Sequence, residues 1–143
     1  MQIKRVSDLA EITRLLDDCN LKSSDVAVEN LPVFCGIKYK NELIAIIGLE
    51  IFEDVGLLRS LAVAAAFREK GLATSLVLYA EDQARQQGVK TLYLLTNTAE
   101  KFFLKASYQI TERNMAPIEI QATSQFSSLC PLSSAFLSKQ LTN

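Results

Sequence analysis

Three charged or small residues stand where a predicted strand is followed by a predicted helix. They are Arg68, Lys70 and Gly71, in the stretch FREKGLAT at 67–74. The first turn of a helix has backbone N–H groups without intrahelical partners and a partial positive charge, so it binds anions. Glycine lets a ligand approach the backbone because it has no Cβ, and the two cations add positive charge. The stretch therefore predicts a site for the phosphates of a nucleotide-like cofactor, with a solvated loop as the alternative.

Acid–base chemistry has three candidate carboxylates, at the end of the third strand and in the turn after it. Glu50 lies in an apolar run, where burial would raise the pKa of its carboxyl towards neutrality and suit it as a general base. Glu53 is the second candidate and Asp54 the third, and the alternative for each is a charge at the rim. The chain has no histidine, which excludes a histidine base, a Ser-His triad and a His-ligated zinc.

The composition indicates one globular domain, 1–143, without a bulk affinity for nucleic acid or membrane. Of the 143 residues, 49% are hydrophobic and 22% charged, and the net charge is −1. No apolar run approaches the roughly 20 residues that span a bilayer. The first residues lack the apolar core of a signal peptide, so we expect a cytoplasmic protein. The three cysteines, Cys19, Cys35 and Cys130, fit reduced thiols, with a three-thiol site for a soft metal or metalloid as the alternative.

Hydrophobic periodicity places these residues in an α+β, or mixed α/β, arrangement in the order β-α-β-β-β-α-β-α-β-β. Three strands in succession predict an antiparallel meander. We expect Ser7 or Asp8 to cap the first helix, Thr98 to cap the third and Gly88 to end the second. The predicted strands are 2–6, 33–39, 43–52, 55–63, 90–95, 108–113 and 134–141, and the helices are 8–19, 72–87 and 98–106.

Two motifs and the order of elements resemble the GNAT family of acetyltransferases. The pattern Val63-x4-Arg68-x2-Gly71-x-Ala73 resembles the family's acetyl-CoA signature, and TNTAEKFF at 96–103 resembles its second cofactor element. The resemblance covers nearly the whole chain. It implies a central, mostly antiparallel, splayed sheet of six to seven strands flanked by helices. It also implies an acetyl-CoA-dependent N-acetyltransferase without a metal, which acts on the amine of a small, amino-acid-like acceptor by direct attack on the thioester.

The resemblance further implies where the cofactor lies. The backbone of the strand's end would pair with the pantetheine, the amides of 69–74 would hold the pyrophosphate, and the second element would lie beside the thioester arm. The implied cofactor-binding residues are Leu61, Ala62, Val63, Arg68, Glu69, Lys70, Gly71, Leu72, Ala73, Thr74, Thr96, Asn97, Phe102 and Phe103. A backbone N–H near Val63 would polarise the thioester carbonyl.

The sequence departs from the family at the general acid. Many members have a tyrosine four residues before the glycine of Gly-Phe or Gly-Tyr, but this chain has Phe103 and Ser107 at these two positions. Ser107, Tyr108 or Tyr93 would substitute if the geometry allows. Alternatively no acid is used, because a thiol with a pKa of about 8.5 is already a tolerable leaving group.

Acceptor binding has two cationic candidates. Arg59 is in the middle of a strand, where a charge is costly unless it is paired, and Arg113 is the second candidate. The alternative for Arg59 is a structural ion pair with Glu50 or Glu53. Narrower resemblances are to the acetyltransferase domains that make N-acetylglutamate and to a GNAT branch associated with arsenic resistance. A homodimer is possible, and a catalytically weak acyl-CoA-binding regulatory module and an arsenical-binding protein are the other functions considered.

Overall fold

The computed structural model describes residues 2–26, 32–129 and 133–141, which include seven strands and four α-helices. The strands are β1 Ile3–Val6, β2 Val33–Tyr39, β3 Glu42–Phe52, β4 Val55–Val63, β5 Thr91–Thr96, β6 Gln109–Ile110 and β7 Ala135–Gln140. The helices are α1 Leu9–Asp18, α2 Leu72–Gln86, α3 Glu100–Lys105 and α4 Ile118–Gln121, with 3-10 turns at Ala65–Phe67 and Arg113–Met115 and a π-helical turn at Gln125–Leu129.

The strands form one sheet in the order β1-β2-β3-β4-β5-β7-β6. The pairs β1–β2, β2–β3, β5–β7 and β6–β7 are antiparallel, and β4–β5 is parallel. The parallel pairing covers three residue pairs, from Val55–Thr91 to Leu57–Tyr93, although β4 continues to Val63. The predicted α+β fold, with a mostly antiparallel sheet of seven strands flanked by helices, is confirmed.

Contacts divide the chain into two compact units, each with its own apolar cluster. Unit 1 is Met1–Glu50 with Ser60–Asp82, and unit 2 is Ile51–Arg59 with Gln83–Asn143. The single domain 1–143 stays a prediction. The buried members of the first cluster are Val6, Ile12, Leu15, Leu16, Val26, Phe34, Leu43, Ile46 and Ala62, and those of the second are Leu57, Ala116, Ile120 and Phe136.

The first helix forms as the sequence predicts. The Asp8 carboxylate accepts a hydrogen bond from the Glu11 N–H at 3.2 Å, which caps the N-terminus. Ile12, Leu15 and Leu16 are buried on one face. The β2–β3 hairpin is closed by Lys40 and Asn41, which both have positive φ, 50° and 66°, as a two-residue type I′ turn requires.

Three helices end in the same motif with three different residues at its left-handed position. These residues are Asn20 after α1, Gly88 after α2 and Ser107 after α3, with φ of 60°, 88° and 75°. In each case the next N–H bonds the carbonyl five residues back, at distances of 2.9 to 3.0 Å. This is the Schellman arrangement, which satisfies carbonyls that the helix leaves unpaired.

Two details of the predicted elements are wrong. Thr98 does not cap α3: the N-cap is Ala99, and the Thr96 hydroxyl accepts the Ala99 N–H at 2.9 Å. The strand predicted at 108–113 shrinks to Gln109–Ile110, because Tyr108 completes the helix-ending motif and a 3-10 turn begins at Arg113.

Within the described ranges, no helix has the length and apolarity needed to cross a membrane.

Candidate functional site

The loop after β4 begins with a short 3-10 turn, Ala65–Phe67, which packs against the end of β2. The turn Ala65–Phe67 begins where the Phe67 N–H bonds the Ala64 carbonyl at 2.8 Å. The Phe67 ring lies 5.4 Å from the Tyr39 ring at the end of β2. The chain therefore enters the charged stretch from a defined point.

The charged stretch contains two left-handed residues, Glu69 with φ 63° and Gly71 with φ 80°. A Cβ built on Gly71 would meet nothing within 4 Å. The requirement for glycine at 71 is therefore conformational, because a side chain there would be strained although no protein atom opposes it. The open space next to this backbone is accessible to a ligand.

Helix α2 begins at Leu72, as predicted. Its first hydrogen bond joins the Ser75 N–H to the Gly71 carbonyl at 3.1 Å. The N–H groups of Leu72, Ala73 and Thr74 precede this ladder, so they are not used by it. Arg68, Glu69, Lys70, Gly71 and Thr74 are exposed, and Leu72 and Ala73 are half-buried. The geometry is that of an anion site at a helix N-terminus.

The Arg68 side chain is bound at the end of β4. Its Nε donates to the Val63 carbonyl at 2.9 Å, and a terminal nitrogen lies 3.8 Å from the Cys19 sulfur. The Cys19 thiol donates to the same carbonyl at 3.6 Å. Cys19 is not among the predicted cofactor-binding residues, because nothing in its spacing connects it to residues more than forty positions away.

Strand β4 is distorted at Ser60, whose φ is 56°. A non-glycine residue with such a φ inside a strand is strained, and strained backbone of this kind is concentrated at functional sites. Arg59, immediately before it, is only 6% exposed, whereas Leu61 and Val63 are half-buried and Ala62 is buried. The sequence LLRSLAV carries no signal for this distortion.

In unit 2, the second predicted cofactor element is held by two polar contacts. Thr96, the last residue of β5, bonds Ala99 as described above. The Ser134 hydroxyl donates to the Asn97 side-chain oxygen at 2.6 Å. Ser134 is 5% exposed and was not predicted as a site residue.

The phenylalanines of α3 belong to an aromatic stack. Phe103 is 5% exposed and lies edge-on to Phe102 and to Tyr108, with ring centres 5.0 and 5.4 Å apart. Tyr108 is 2% exposed, and the Lys139 ammonium lies 5.4 Å from its ring centre. Ser107 is exposed. Phe103, at the acid position, therefore has a packing role.

Arg113 is half-buried in a polar and aromatic environment. Its terminal nitrogen donates to the Ser134 carbonyl at 3.0 Å, and its guanidinium lies 5.5 Å from the Phe126 ring centre. Phe126 packs edge-on against Phe136, and Tyr93 stacks on Phe136 at 5.6 Å. Ser134 thus contacts both Arg113 and Asn97.

The predicted base candidates differ in exposure. Glu50 is half-buried in β3, whereas Glu53 and Asp54 are exposed in the turn before β4. Burial, and secondarily the Asp54 carboxylate, raise the pKa of the Tyr93 phenol above its ordinary 10.0. Tyr93 therefore stays protonated at neutral pH.

The two described thiols lie on opposite sides of strand β2: Cys19 packs against one face, and Cys35 points from the other. Cys19 packs against the first cluster, which contains Phe34. Because successive residues of a strand point to opposite sides, Cys35 faces away from that cluster. Burial raises the pKa of the Cys35 thiol above its ordinary 9.0. Cys130 lies outside the described residues, and those described contain no group of three metal-ligating side chains.

Solved structures with the same fold include enzymes bound to coenzyme A. The N-acetylglutamate synthase of Neisseria gonorrhoeae, complexed with coenzyme A and N-acetyl-glutamate, matches 99% of this chain with a TM-score of 0.81 and 20% identity. This chain spans 35% of that protein. Rv2747 of Mycobacterium tuberculosis, in complex with CoA, matches 99% of this chain and 100% of its own with a TM-score of 0.80 and 16% identity. For an aminoglycoside 6'-N-acetyltransferase complexed with coenzyme A, the match covers 100% of this chain and 98% of the transferase. Its TM-score is 0.74 and the sequence identity is 16%.

The family model for the acetyltransferase (GNAT) family matches residues 6–108, which include the loop after β4 and the element after β5. This match covers well over half of the chain and agrees with the resemblance that the two sequence motifs carry. The chain belongs to the acetyltransferase (GNAT) family.

Proposed function

We propose that the chain is an acetyl-CoA-dependent N-acetyltransferase for a small, amino-acid-like amine. The observation that carries this proposal is the loop between β4 and α2. It combines a left-handed glycine beside open space, N–H groups that precede the helical ladder, and two exposed cations. These features suit the pyrophosphate of acetyl-CoA.

The pantetheine arm extends from the pyrophosphate along the end of β4. The backbone of Leu61 and Ala62 and the N–H of Val63 pair with the pantetheine amides in the manner of an added strand, while the Val63 carbonyl accepts from Arg68 and Cys19. Thr96, Asn97, Phe102 and Phe103 lie on the other predicted cofactor element. The coenzyme A in related folds supports this assignment of the cofactor.

The reaction is a direct transfer. The amine nitrogen of the acceptor attacks the thioester carbonyl carbon, so a C–N bond forms and the C–S bond breaks. The developing oxyanion accepts a hydrogen bond from a backbone N–H near Val63. The thiolate leaves with the electron pair of the C–S bond and takes a proton from solvent or from a side chain.

The amine must lose a proton before or during the attack, which requires a base or a chain of water molecules. Glu50 is our first candidate because its partial burial separates it from bulk solvent, and Glu53 is the second. For the leaving thiolate, Phe103 cannot donate a proton. Ser107, Tyr108 and Tyr93 are the candidate donors, and the raised pKa of Tyr93 makes its phenol a weaker acid than an ordinary tyrosine.

An amino-acid-like acceptor needs a cation for its carboxylate. Arg113 is half-buried and its guanidinium is oriented by Ser134 and Phe126, which favours bidentate binding of a carboxylate. Arg59 is the second candidate. The N-acetyl-glutamate in the Neisseria synthase structure supports an acceptor of this class.

A catalytically weak acyl-CoA-binding module is the second candidate function. This function is favoured by Phe103, which is buried in an aromatic stack at the position where many family members have the general-acid tyrosine. Both functions require acetyl-CoA binding, but only the enzyme releases coenzyme A when an amine is supplied.

The test is coenzyme A release from acetyl-CoA in the presence of single amino acids and simple amines, for the wild type and Gly71→Trp. We expect one amino acid to give turnover that the variant lacks, because the indole would fill the space next to the helix terminus. Acetyl-CoA binding without turnover on any amine would favour the binding module, and absence of binding would contradict both functions.

A further inference from the structure

We infer that Cys19 is a positioning residue for the cofactor, which acts by holding the Arg68 guanidinium at the end of β4. The inference rests on the proposed function, because it concerns how acetyl-CoA is bound. Three contacts within unit 1 join the end of α1, the end of β4 and the start of the charged loop.

The Val63 carbonyl is the centre of this arrangement. A carbonyl oxygen has two lone pairs, and here it has two donors, the Arg68 Nε at 2.9 Å and the Cys19 thiol at 3.6 Å. The Cys19 sulfur is also 3.8 Å from a terminal nitrogen of Arg68. The thiol therefore serves as a donor to the carbonyl and as an acceptor from the guanidinium.

This arrangement fixes an otherwise flexible cation. Arg68 is exposed, and ordering a long exposed side chain costs up to about 2 kcal/mol of conformational entropy. Contacts that order it before the ligand arrives spare the ligand this cost. The positive charge stays beside the loop Arg68–Gly71, where the phosphates are proposed to bind.

A purely structural role for Cys19 predicts something different. Its backbone N–H bonds the Leu15 and Leu16 carbonyls at the end of α1, and these bonds do not depend on the side chain. The side chain packs against the first apolar cluster, so truncation would lower stability. It would not change acetyl-CoA affinity in a way that depends on Arg68.

The experiment is calorimetric titration of acetyl-CoA into the wild type, Cys19→Ala, Cys19→Ser, Arg68→Ala and the double variant Cys19→Ala/Arg68→Ala. Cys35→Ala is the control, because Cys35 is a cysteine of unit 1 on the opposite face of β2 from the first apolar cluster. Unfolding midpoints of all variants in urea show whether each is folded and how far its stability changes.

We expect Cys19→Ala to raise the Kd for acetyl-CoA by about three- to tenfold, because the ligand must then supply part of the free energy that ordering the Arg68 side chain costs. Cys19→Ser should stay within about twofold of the wild type, because a hydroxyl also donates and accepts. In the Arg68→Ala background, Cys19→Ala should have no further effect, since the two residues act as one unit. Cys35→Ala should leave the Kd unchanged.

Two results would overturn the inference while acetyl-CoA binding by the wild type holds. One is a Cys19→Ala variant with the wild-type Kd for acetyl-CoA. The other is a Cys19→Ala substitution that raises the Kd by the same factor in the wild type and in Arg68→Ala. A folded wild type that does not bind acetyl-CoA overturns the proposed function and this inference with it.

Discussion

Ser107 is a strained residue at a position that favours glycine. Its φ is 75°, and it ends α3 in the same motif that Gly88 provides for α2. A left-handed conformation costs a residue with a Cβ on the order of 1 kcal/mol more than glycine, part of which the greater freedom of glycine in the unfolded chain offsets.

We therefore expect Ser107→Gly to raise the free energy of unfolding by about 0.5 to 1 kcal/mol. Gly88→Ser, the reverse change in a matched motif, should lower it by a similar amount. Urea unfolding at neutral pH measures both. A loss of stability in Ser107→Gly would mean that the serine hydroxyl contributes more than the strain costs.

Arg113 is the residue whose charge decides acceptor binding in the proposed function. Arg113→Gln removes the cation and leaves a shorter polar side chain in its place. Hydrogen bonds to charged groups contribute about 1.5 to 3 kcal/mol, so the KM for the amino acid found in the amine panel should rise tenfold or more. The KM for acetyl-CoA should stay within about twofold. If the wild type and Arg113→Gln have the same KM for the acceptor, Arg113 does not bind the acceptor's carboxylate.

At the scale of elements, the sequence predicts the elements that carry a local signal. Hydrophobic periodicity places α1, α2 and β4 within one or two residues, and Asp8 and Gly88 act as their residue types indicate. The start of α2 after Gly71 is also predicted, because Gly71 adopts a left-handed backbone conformation that glycine favours.

The features that the sequence does not predict depend on contacts between residues that are far apart in the sequence. Cys19 meets Val63 and Arg68 only through folding, and Ser134 meets Asn97 only through the pairing of β5 with β7. Ser60 adopts its left-handed conformation without any residue type that favours it. Thr98 is not the cap because α3 begins one residue later than predicted, with Ala99 as the N-cap and no side-chain capping hydrogen bond.

At the scale of the whole molecule, two weak acids, the buried Cys35 and the half-buried Tyr93, make the free energy of unfolding depend on pH in the alkaline range. Burial raises the pKa of Cys35 above 9.0, and burial with the Asp54 carboxylate raises that of Tyr93 above 10.0. An acid whose pKa is higher in the folded state ionises first in the unfolded chain. Its stabilising effect is complete below the unfolded pKa and is lost as pH rises through the folded one.

We expect the free energy of unfolding to be flat near neutral pH and to fall from about pH 9 upwards. The slope above pH 10 should be smaller in Tyr93→Phe, and the slope between pH 9 and 10 smaller in Cys35→Ala. Urea unfolding over this pH range measures the slopes, which are independent of each variant's stability at pH 7. Unchanged slopes in both variants would assign the alkaline loss to other groups.

The central claim is that the N-terminus of α2 binds acetyl-CoA, and two glycines of this chain test it directly. Gly71 and Gly88 have φ of 80° and 88°, and a Cβ on either meets nothing within 4 Å. Alanine at either position should therefore cost a similar free energy of unfolding, about 1 kcal/mol. Only Gly71→Ala places a methyl group beside the proposed pyrophosphate site.

Calorimetric titration of acetyl-CoA into the wild type and these two variants is the most direct measurement. The proposed site predicts a Kd at least about tenfold higher for Gly71→Ala and an unchanged Kd for Gly88→Ala, because displacing charge-assisted hydrogen bonds costs at least 1.4 kcal/mol. Equal affinities in all three proteins would contradict the assignment of the cofactor to this helix terminus.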